Sequence, residues 1–312
     1  MKYRKLGKWG LQVSELGLGS WITFGTSLDQ SLVTKLTKQA FDAGINLFDN
    51  AEVYAEGVAE TLMGQALQQF SREELVVTTK IFWGGNLPNQ MGLSHKHLIE
   101  GTKKSLKRLK LEYVDILYCH RPDPNTPVEE TVRAMDQIIR SGYAFYWGTS
   151  EWPKNLIVEA HDIAERLGAY PPAVEQPQYN LFCRQRVEKE YVPLYKNYGM
   201  GITSWSPLDS GILTGKYNEG IPDKSRLAKH EWLKEHLSEA KIQKVKKLQA
   251  IANTLGCTVG QLALCWCLLN RDVSSVLLGV TSAQQLEENL QALKVKEIIT
   301  NEIVDQINSI FG

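Results

Sequence analysis

Residues 114 to 120 read VDILYCH, an apolar run that ends in a histidine and is followed at once by RPDP (121 to 124). Short apolar runs that are bounded by turn-forming residues are typical of buried strands. Proline cannot continue such a strand, so His120 is predicted to stand at its end. At that position His120 is a candidate for a catalytic group, a metal ligand or a structural residue.

Helical patterns lie on both sides of this strand. Before it, apolar residues at spacings of three and four predict a helix from about Ser94 to Leu109. After it, Thr126 is predicted to cap a second helix, with Pro127 in the first helical position. The strand is therefore predicted to lie between two helices.

The same alternation of apolar run and helical pattern continues along the chain. The predicted strands are VSELGLG (13 to 19), INLFDN (45 to 50), ELVVTTK (74 to 80), VDILYCH (114 to 120), AFYWGTS (144 to 150), PAVEQ (172 to 176), GMGITSWS (199 to 206) and SVLLG (275 to 279). Strands that alternate with helices form parallel sheets through right-handed crossovers. Eight such units in 312 residues predict an α/β fold, a (β/α)8 barrel that forms one domain over residues 1 to 312.

A doubly wound open sheet is the alternative fold. That fold usually carries a GxGxxG turn after its first strand, and GLGSW (17 to 21) does not match, which favours the barrel. The segment KYRKLGKWGLQV (2 to 13) is predicted to form a small hairpin that turns at Gly7 to Gly10 and plugs the bottom of the barrel. A loop of roughly thirty residues after the seventh strand is long enough to cover or bind a ligand.

Composition excludes several classes of function. Lysine plus arginine equal aspartate plus glutamate at 35 each, so no net charge attracts nucleic acid or an anionic membrane. No window reaches the roughly 18 apolar residues of a spanning helix, and a cytoplasmic location is expected. The cysteines lack CxxC spacing and predict neither a disulfide framework nor a zinc site; they are Cys119, Cys183, Cys257, Cys265 and Cys267.

Four polar residues fall near the carboxyl ends of predicted strands, where barrels carry their reactive groups: Asp49, Tyr54, Lys80 and His120. A strand-end histidine by itself is more often structural, and the other three also have ordinary structural explanations. Together they make chemical sense, because a lysine ammonium favours phenolate and is expected to lower the tyrosine pKa. A metal at His120 is not expected, since Cys119 points to the opposite face of the strand.

Six segments resemble the aldo-keto reductases: NLFDNAEVYAEGVAETLMGQAL, VVTTKIFWG, LEYVDILYCHRPDPNTPVEETVRAM, YWGTSEW, WSPLDSGILTGKY and SSVLLGVTSAQQLEENL. Within that family the chain is most similar to the branch that contains the beta subunits of voltage-gated potassium channels. The resemblance implies NADPH-dependent reduction of aldehydes and ketones by a tetrad of Asp49, Tyr54, Lys80 and His120. It makes Tyr54 the proton donor, Lys80 and Asp49 the groups that tune it, and His120 the group that orients the carbonyl.

The resemblance also implies a binding site for NADP(H). The implied contact residues are Ser20, Trp21, Ser150, Gln176, Trp205, Ser206, Pro207, Leu208, Ser210, Lys216, Arg226, Gly279, Thr281, Gln285, Glu288 and Asn289. Lys216 and Arg226 match phosphate contacts, and Arg226 suits the adenosine 2'-phosphate. The residues themselves predict a capping box from Ser282 to Gln285, which would place helical N–H groups beside Thr281.

Alternatives remain open at the level of function. The branch implies a cytosolic auxiliary subunit that docks on a membrane channel and senses redox state through its cofactor, and it implies a tetramer or larger homo-oligomer. A sugar or glyceraldehyde 3-phosphate reductase is a third possibility. Two departures matter: animal channel subunits usually have asparagine where this chain has His120, and the motif TSR is here TSE, with Glu151.

Overall fold

The computed structural model describes residues 1 to 223 and 225 to 312. Its strands are β1 (Tyr3–Lys5), β2 (Gln12–Ser14), β3 (Leu16–Gly19), β4 (Leu47–Asp49), β5 (Val76–Ile81), β6 (Val114–Cys119), β7 (Ala144–Thr149), β8 (Val174–Glu175), β9 (Gly201–Ser204) and β10 (Val273–Leu278). Its helices are α1 (Gln30–Asp42), α2 (Val58–Leu67), α3 (His95–Leu109), α4 (Val128–Arg140), α5 (Lys154–Leu167), α6 (Arg226–Lys229), α7 (Glu239–Thr254), α8 (Val259–Leu269), α9 (Ala283–Leu290), α10 (Ala292–Ile298) and α11 (Asn301–Phe311). Short helical turns occupy Tyr54–Gly57, Arg72–Glu74, Arg186–Glu190, Leu194–Tyr198, Asp209–Thr214 and Glu231–His236.

Strands β3 to β10 form a closed barrel in which neighbours along the chain are neighbours in the sheet. Every pair in the barrel is parallel, and β10 closes the ring by pairing with β3. The helices lie around this ring, so the predicted (β/α)8 barrel is confirmed. The antiparallel pair β1 and β2 confirms the N-terminal hairpin.

The predicted first strand, residues 13 to 19, is wrong in one respect, because the chain changes sheets at Glu15. The β2 strand pairs with β1, whereas β3 pairs with β10 and β4. The Glu15 side chain at the junction forms ion pairs with Arg4 at 2.9 Å and with Lys296 at 2.5 Å. Contacts with residues that are remote in sequence therefore divide one apolar run into two strands.

Two further local expectations are also wrong. No long helix follows β8, where the chain instead makes the short turns Arg186–Glu190 and Leu194–Tyr198. Helix α4 begins at Val128 with Pro127 as its N-cap residue, and no side chain caps it. Thr126 does not cap the helix because its hydroxyl donates to Asp123 Oδ2 at 2.7 Å.

Alternation along the strands fills the barrel interior in layers. At the lower end Leu6 and Val13 of the hairpin pack with Leu47, Ile116 and Val174, so the hairpin plugs the barrel with apolar side chains. Successive side chains on a strand point to opposite faces. On β4, β5 and β6, the side chains two and four residues after those of this apolar layer therefore also point into the barrel, nearer its mouth. The interior therefore becomes polar towards the carboxyl ends.

Within the described residues, no single helix has the length and apolar character to cross a membrane. Helices α7 and α8 meet that standard only when they are taken together, and they are bent by 90°.

Gly64 in α2 provides a test of how closely the outer helices pack. A Cβ added at Gly64 would lie 2.6 Å from Leu109 Cα at the end of α3, which is far inside contact distance. Although alanine favours helix over glycine by up to ~1 kcal/mol, we expect Gly64→Ala to lower the free energy of unfolding by ~1–3 kcal/mol through overpacking. Urea unfolding followed by circular dichroism measures this change.

Gly10→Ala is the matched control, since a Cβ there meets nothing within 4 Å. Its free energy of unfolding should stay within ~0.5 kcal/mol of the parent protein. A Gly64→Ala protein that is more stable than the parent would contradict the close approach of α2 and α3.

Candidate active site

The four residues predicted from strand ends come together at the mouth of the barrel. Asp49 is the last residue of β4, Lys80 is the fifth of six residues in β5, and His120 directly follows β6. Tyr54 begins the helical turn after β4. All four lie at the carboxyl ends of the strands, as the barrel fold requires of a reactive site.

Lys80 holds this group together. Its Nζ lies 2.6 Å from Asp49 Oδ2, 2.7 Å from the Asn50 carbonyl oxygen and 3.2 Å from the Tyr54 hydroxyl. The residue is only 1% exposed. An ammonium has three protons to donate, and here each has an acceptor.

The second carboxylate oxygen of Asp49 is also used. Asp49 Oδ1 accepts hydrogen bonds from Thr78 Oγ1 at 2.7 Å and from Gln176 Nε2 at 3.0 Å. These donors come from β5 and from the residue after β8. The carboxylate is therefore fixed from both sides of the barrel and cannot turn away from Lys80.

The electrostatics of this buried group keep both Lys80 and Tyr54 protonated. Burial lowers the pKa of the Lys80 ammonium, but Asp49 and Tyr54 outweigh it, and the net pKa is raised. Burial raises the pKa of Tyr54, and the positive charge of Lys80 offsets only part of that rise. The expectation of a lowered tyrosine pKa is thus wrong in its net direction, because burial has the larger effect.

His120 lies beside Tyr54 as a neutral imidazole. The rings of Tyr54 and His120 meet edge to face with centroids 5.8 Å apart, and the Trp83 ring lies 5.0 Å away on another side. Burial, followed by Lys80 and Arg121, lowers the pKa of His120 well below its usual value. Its Nδ1 is buried and has no hydrogen-bond partner among the described residues.

A cleft of about 890 Å³ runs from these residues to the start of α9. It is lined by most of the residues that the sequence predicted. Those lining residues are Trp21, Asp49, Tyr54, His120, Ser150, Gln176, Trp205, Ser206, Pro207, Leu208, Ser210, Lys216, Arg226, Gly279, Thr281, Gln285, Glu288 and Asn289. The cleft is thus a single continuous surface formed by residues from both ends of the chain.

Two of the predicted residues do not line the cleft. Lys80 lies behind Asp49 and Tyr54 and reaches the cleft only through them. Ser20 is fully buried and donates to Asn50 Oδ1 at 2.5 Å and to the Asp49 carbonyl oxygen at 3.1 Å. Ser20 therefore supports the end of β4 and does not contact a ligand in the cleft.

The far end of the cleft is basic, since Lys229 lines it together with Lys216 and Arg226. Lys216 and Arg226 both line it, and neither forms an ion pair with a carboxylate of the described residues. Burial lowers the pKa of both groups, and Arg226 lowers that of Lys216 further. Two neighbouring cations that form no ion pair with the described residues make a site that an anion would stabilise.

Helix α9 begins at the same end of the cleft. Ser282 caps it by accepting from the Gln285 backbone N–H at 3.2 Å. The predicted capping box is incomplete, however, because Gln285 Oε1 accepts from the N–H and hydroxyl of Thr281 instead, at 2.9 and 3.0 Å. Gln285 therefore fixes Thr281 beside the cleft.

Glu151, which departs from the family motif, belongs to a hydrogen-bond network at the cleft wall. Its Oε1 accepts from the Trp205 indole N–H at 2.9 Å and from the Gln178 backbone N–H at 2.6 Å, while Oε2 pairs with Arg186. The Trp205 ring meets Trp21 edge to face with centroids 5.6 Å apart. Glu151 thus holds an aromatic wall of the cleft in place.

The sequence reasoning missed several residues of the site, and four of them contact the tetrad or its neighbours. Thr78 faces inward two places before Lys80, and strand alternation could have found it. Trp83 and Arg121 lie just beyond two strand ends that were already identified, so a longer search along each loop would have found them. Asn50 contributes its backbone carbonyl to Lys80, and no sequence pattern predicts that contact.

The closed barrel and a lysine-supported tyrosine in a long cleft define a TIM-barrel protein with a site suited to proton transfer. The chain belongs to the aldo/keto reductase family, since the model of the "Aldo/keto reductase family" matches residues 15–311. It is similar to a "Probable voltage-gated potassium channel subunit beta" of Arabidopsis thaliana, with 51% identity over 99% of this chain and 96% of the relative. A protein of Oryza sativa subsp. japonica with the same description is 52% identical over the same shares.

Substitutions at Glu151 test its role in the wall. We expect Glu151→Ala to lower the free energy of unfolding by ~2 kcal/mol, because it leaves the Trp205 and Gln178 N–H groups without their acceptor. Glu151→Gln should lower the free energy of unfolding by about half as much. An amide oxygen still accepts from both donors, although the charge opposite Arg186 is gone. Urea unfolding followed by tryptophan emission measures both variants.

Glu231→Ala is the control for loss of an ion pair as such, since Glu231 forms an exposed pair with Lys234. Its free energy of unfolding should change by less than ~0.5 kcal/mol. Equal values for Glu151→Ala and Glu151→Gln would show that the charge, and not the acceptor of the indole N–H, is what stabilises the wall.

Proposed function

We propose that this protein reduces aldehydes and ketones to alcohols with NADPH, in the cytoplasm. The observation that carries the proposal is the 3.2 Å contact between the Tyr54 hydroxyl and Lys80 Nζ, with Asp49 bound on the other side of the same amine. Membership of the aldo/keto reductase family supports a general oxidoreductase role. The catalytic roles below are part of the proposal.

In this proposal the proton comes from Tyr54. NADPH, when bound, supplies the hydride for the carbonyl carbon. The Tyr54 hydroxyl gives its proton to the carbonyl oxygen, so the C=O double bond becomes a C–O single bond with a new C–H bond and a new O–H bond. Lys80 stabilises the phenolate that remains, and Asp49 keeps Lys80 charged.

His120 has the role of orienting the substrate. A neutral imidazole can donate one hydrogen bond, and the lowered pKa keeps His120 in this form at neutral pH. A hydrogen bond from His120 to the carbonyl oxygen would hold that oxygen within reach of Tyr54. The neighbouring rings of Tyr54 and Trp83 restrict the orientation of the imidazole.

The residues of the cleft fit NADP(H). Trp21 and Trp205 offer apolar surface near the tetrad, and Ser150 and Gln176 offer polar groups there. Lys216 and Arg226 lack acidic partners in the described part of the chain and would hold phosphate groups. A guanidinium can bind a phosphate through two hydrogen bonds. This geometry supports Arg226 as the residue that binds the 2'-phosphate and so makes the protein prefer NADPH over NADH.

A second candidate function is that of an auxiliary subunit of a potassium channel. The observation in its favour is the description of the two plant relatives as channel beta subunits, at 51% and 52% identity. This role would add a docking surface and a homo-oligomer to the same barrel. Co-purification with the cytosolic domain of a potassium channel would support it, and a monomer in light scattering that captures no such domain would argue against it.

Tyr54→Phe and Lys80→Met test the proton donor and its support. Each variant should lower kcat for a small aldehyde by about 10²- to 10⁴-fold, because general acid catalysis is lost or weakened. NADPH binding, measured by its fluorescence, should be retained, since neither side chain belongs to the proposed cofactor contacts. Steady-state oxidation of NADPH measures kcat.

Tyr113→Phe is the control, since Tyr113 packs on Arg72 and Phe145 far from the cleft. Its kcat should stay at the parent value. Full kcat in either Tyr54→Phe or Lys80→Met would refute the proposed roles.

Arg226→Ala tests the choice of cofactor. Loss of charge-assisted hydrogen bonds to a phosphate should weaken NADPH binding by about 10- to 100-fold, while NADH binding should change little. Lys246→Ala removes an exposed lysine that pairs with Glu219, and it should leave both affinities unchanged. An unaltered preference for NADPH in Arg226→Ala would remove the 2'-phosphate assignment.

A further inference from the structure

We propose that Arg121 forms an anion-binding subsite beside the reacting carbonyl, so that the preferred substrates are aldehydes or ketones that also carry a carboxylate or phosphate group. This inference rests on the proposed function, because it names the substrate class of the same site. It concerns the end of the cleft opposite Lys216 and Arg226.

Arg121 is placed beside the proposed reaction centre by the fold. It directly follows His120 and lines the same cleft as Tyr54, Trp83 and Ser150. Its side chain is half-buried, whereas most arginine side chains lie at the surface. A substrate whose carbonyl group reaches Tyr54 and His120 would therefore lie within the field of the Arg121 guanidinium.

The guanidinium is held by one of its nitrogens only. Arg121 Nη1 donates to the His120 carbonyl oxygen at 2.5 Å and to Ser150 Oγ at 3.2 Å. The Trp83 ring centre lies 5.6 Å from the guanidinium carbon, which is within the range of a cation–π contact. Nε and Nη2 make no hydrogen bond to any of the described residues, so that edge of the guanidinium is left for a ligand.

Arg121 also lacks a carboxylate partner among the described residues, which distinguishes it from most arginines of this chain. Ion pairs are formed by Arg4, Arg72, Arg108, Arg133, Arg140, Arg166, Arg184 and Arg186. Asp49, which lines the same cleft, is already bound to Lys80. A half-buried cation without an acid in a ligand cleft is an arrangement that an anionic ligand would complete.

The charge of Arg121 already acts on its neighbours. It lowers the pKa of His120, after burial and Lys80, and it offsets a small part of the rise in the pKa of Tyr54. The guanidinium is thus close enough to interact with both groups that would contact the carbonyl oxygen. An anion bound to Arg121 would place the substrate carbonyl at a fixed distance from Tyr54.

The edge formed by Nε and Nη2 matches two acceptor oxygens. A guanidinium binds a carboxylate or a phosphate through two parallel hydrogen bonds, and a lysine amine cannot reproduce that geometry. Carboxylate and phosphate share this chemistry, so matched substrates must separate them. The alternative is that Arg121 only positions Ser150 and the backbone at the end of β6.

The experiment compares two pairs of substrates that differ in the anionic group. Succinic semialdehyde is paired with butanal, and glyceraldehyde 3-phosphate with glyceraldehyde, each assayed with NADPH. We expect the parent protein to have the higher kcat/KM for the anionic member of at least one pair, and the favoured pair identifies carboxylate or phosphate. Arg121→Gln should reduce that advantage by about 10- to 100-fold, mainly through KM, with Arg121→Lys between the two.

Arg133→Gln is the matched control, because Arg133 forms an exposed pair with Glu129 one turn away on α4. It should leave all four kcat/KM values unchanged. If Arg121→Gln lowers kcat/KM for charged and uncharged aldehydes by the same factor, the proposed subsite is refuted. Arg121 is then a positioning residue only. A parent protein that favours neither anionic substrate would overturn the subsite as well.

A direct binding measurement separates this inference from the proposed function. If the parent protein reduces none of the four aldehydes, the proposed function fails, and the subsite is judged by binding of 4-hydroxybutyrate and inorganic phosphate in the presence of saturating NADP⁺. A dissociation constant at least 10-fold weaker in Arg121→Gln for either anion supports the subsite. Equal dissociation constants for the parent protein and the variant overturn it.

Discussion

The site depends on keeping the charge of Lys80 inside the barrel, where water does not reach it. Burying an ammonium is costly unless an opposite charge and hydrogen bonds compensate it. Asp49 supplies the charge at 2.6 Å, and Thr78 and Gln176 hold Asp49 in turn. These residues come from β4, β5 and the end of β8, and closure of the barrel brings them together. The geometry of the barrel therefore fixes the charges that surround the Tyr54 hydroxyl.

Much of this arrangement could be predicted from the sequence, because it follows from local periodicity. Each barrel strand is a short apolar run, and the polar residue that ends or follows the run must lie at the mouth of a parallel barrel. That rule is sufficient to bring Asp49, Lys80 and His120 together before any coordinates are known. The parallel pairing of β3 to β10 confirms the order of the strands. The residues of the far end of the cleft came from family resemblance, since no periodicity points to Arg226.

The errors share one physical origin, which is competition from contacts that the local sequence does not contain. Glu15 ends a strand because Arg4 and Lys296 pair with it. Thr126 does not cap α4 because its hydroxyl donates a hydrogen bond to Asp123 instead. The pKa of Tyr54 depends on how deeply its hydroxyl is buried, and a nearby lysine alone does not reveal that depth. Such outcomes need the three-dimensional neighbours of each side chain.

The apolar plug at the lower end of the barrel has a consequence for the supply of protons. Leu6 and Val13 belong to an apolar layer beneath the site, and above them the Tyr118 hydroxyl is bound to Thr203 Oγ1 at 2.8 Å. Burial raises the pKa of Tyr118 far beyond its usual value, so this hydroxyl stays protonated and bound to Thr203. In the proposed reaction Tyr54 must be reprotonated after each turnover. That proton must therefore come from solvent at the mouth, through the same opening by which the alcohol leaves.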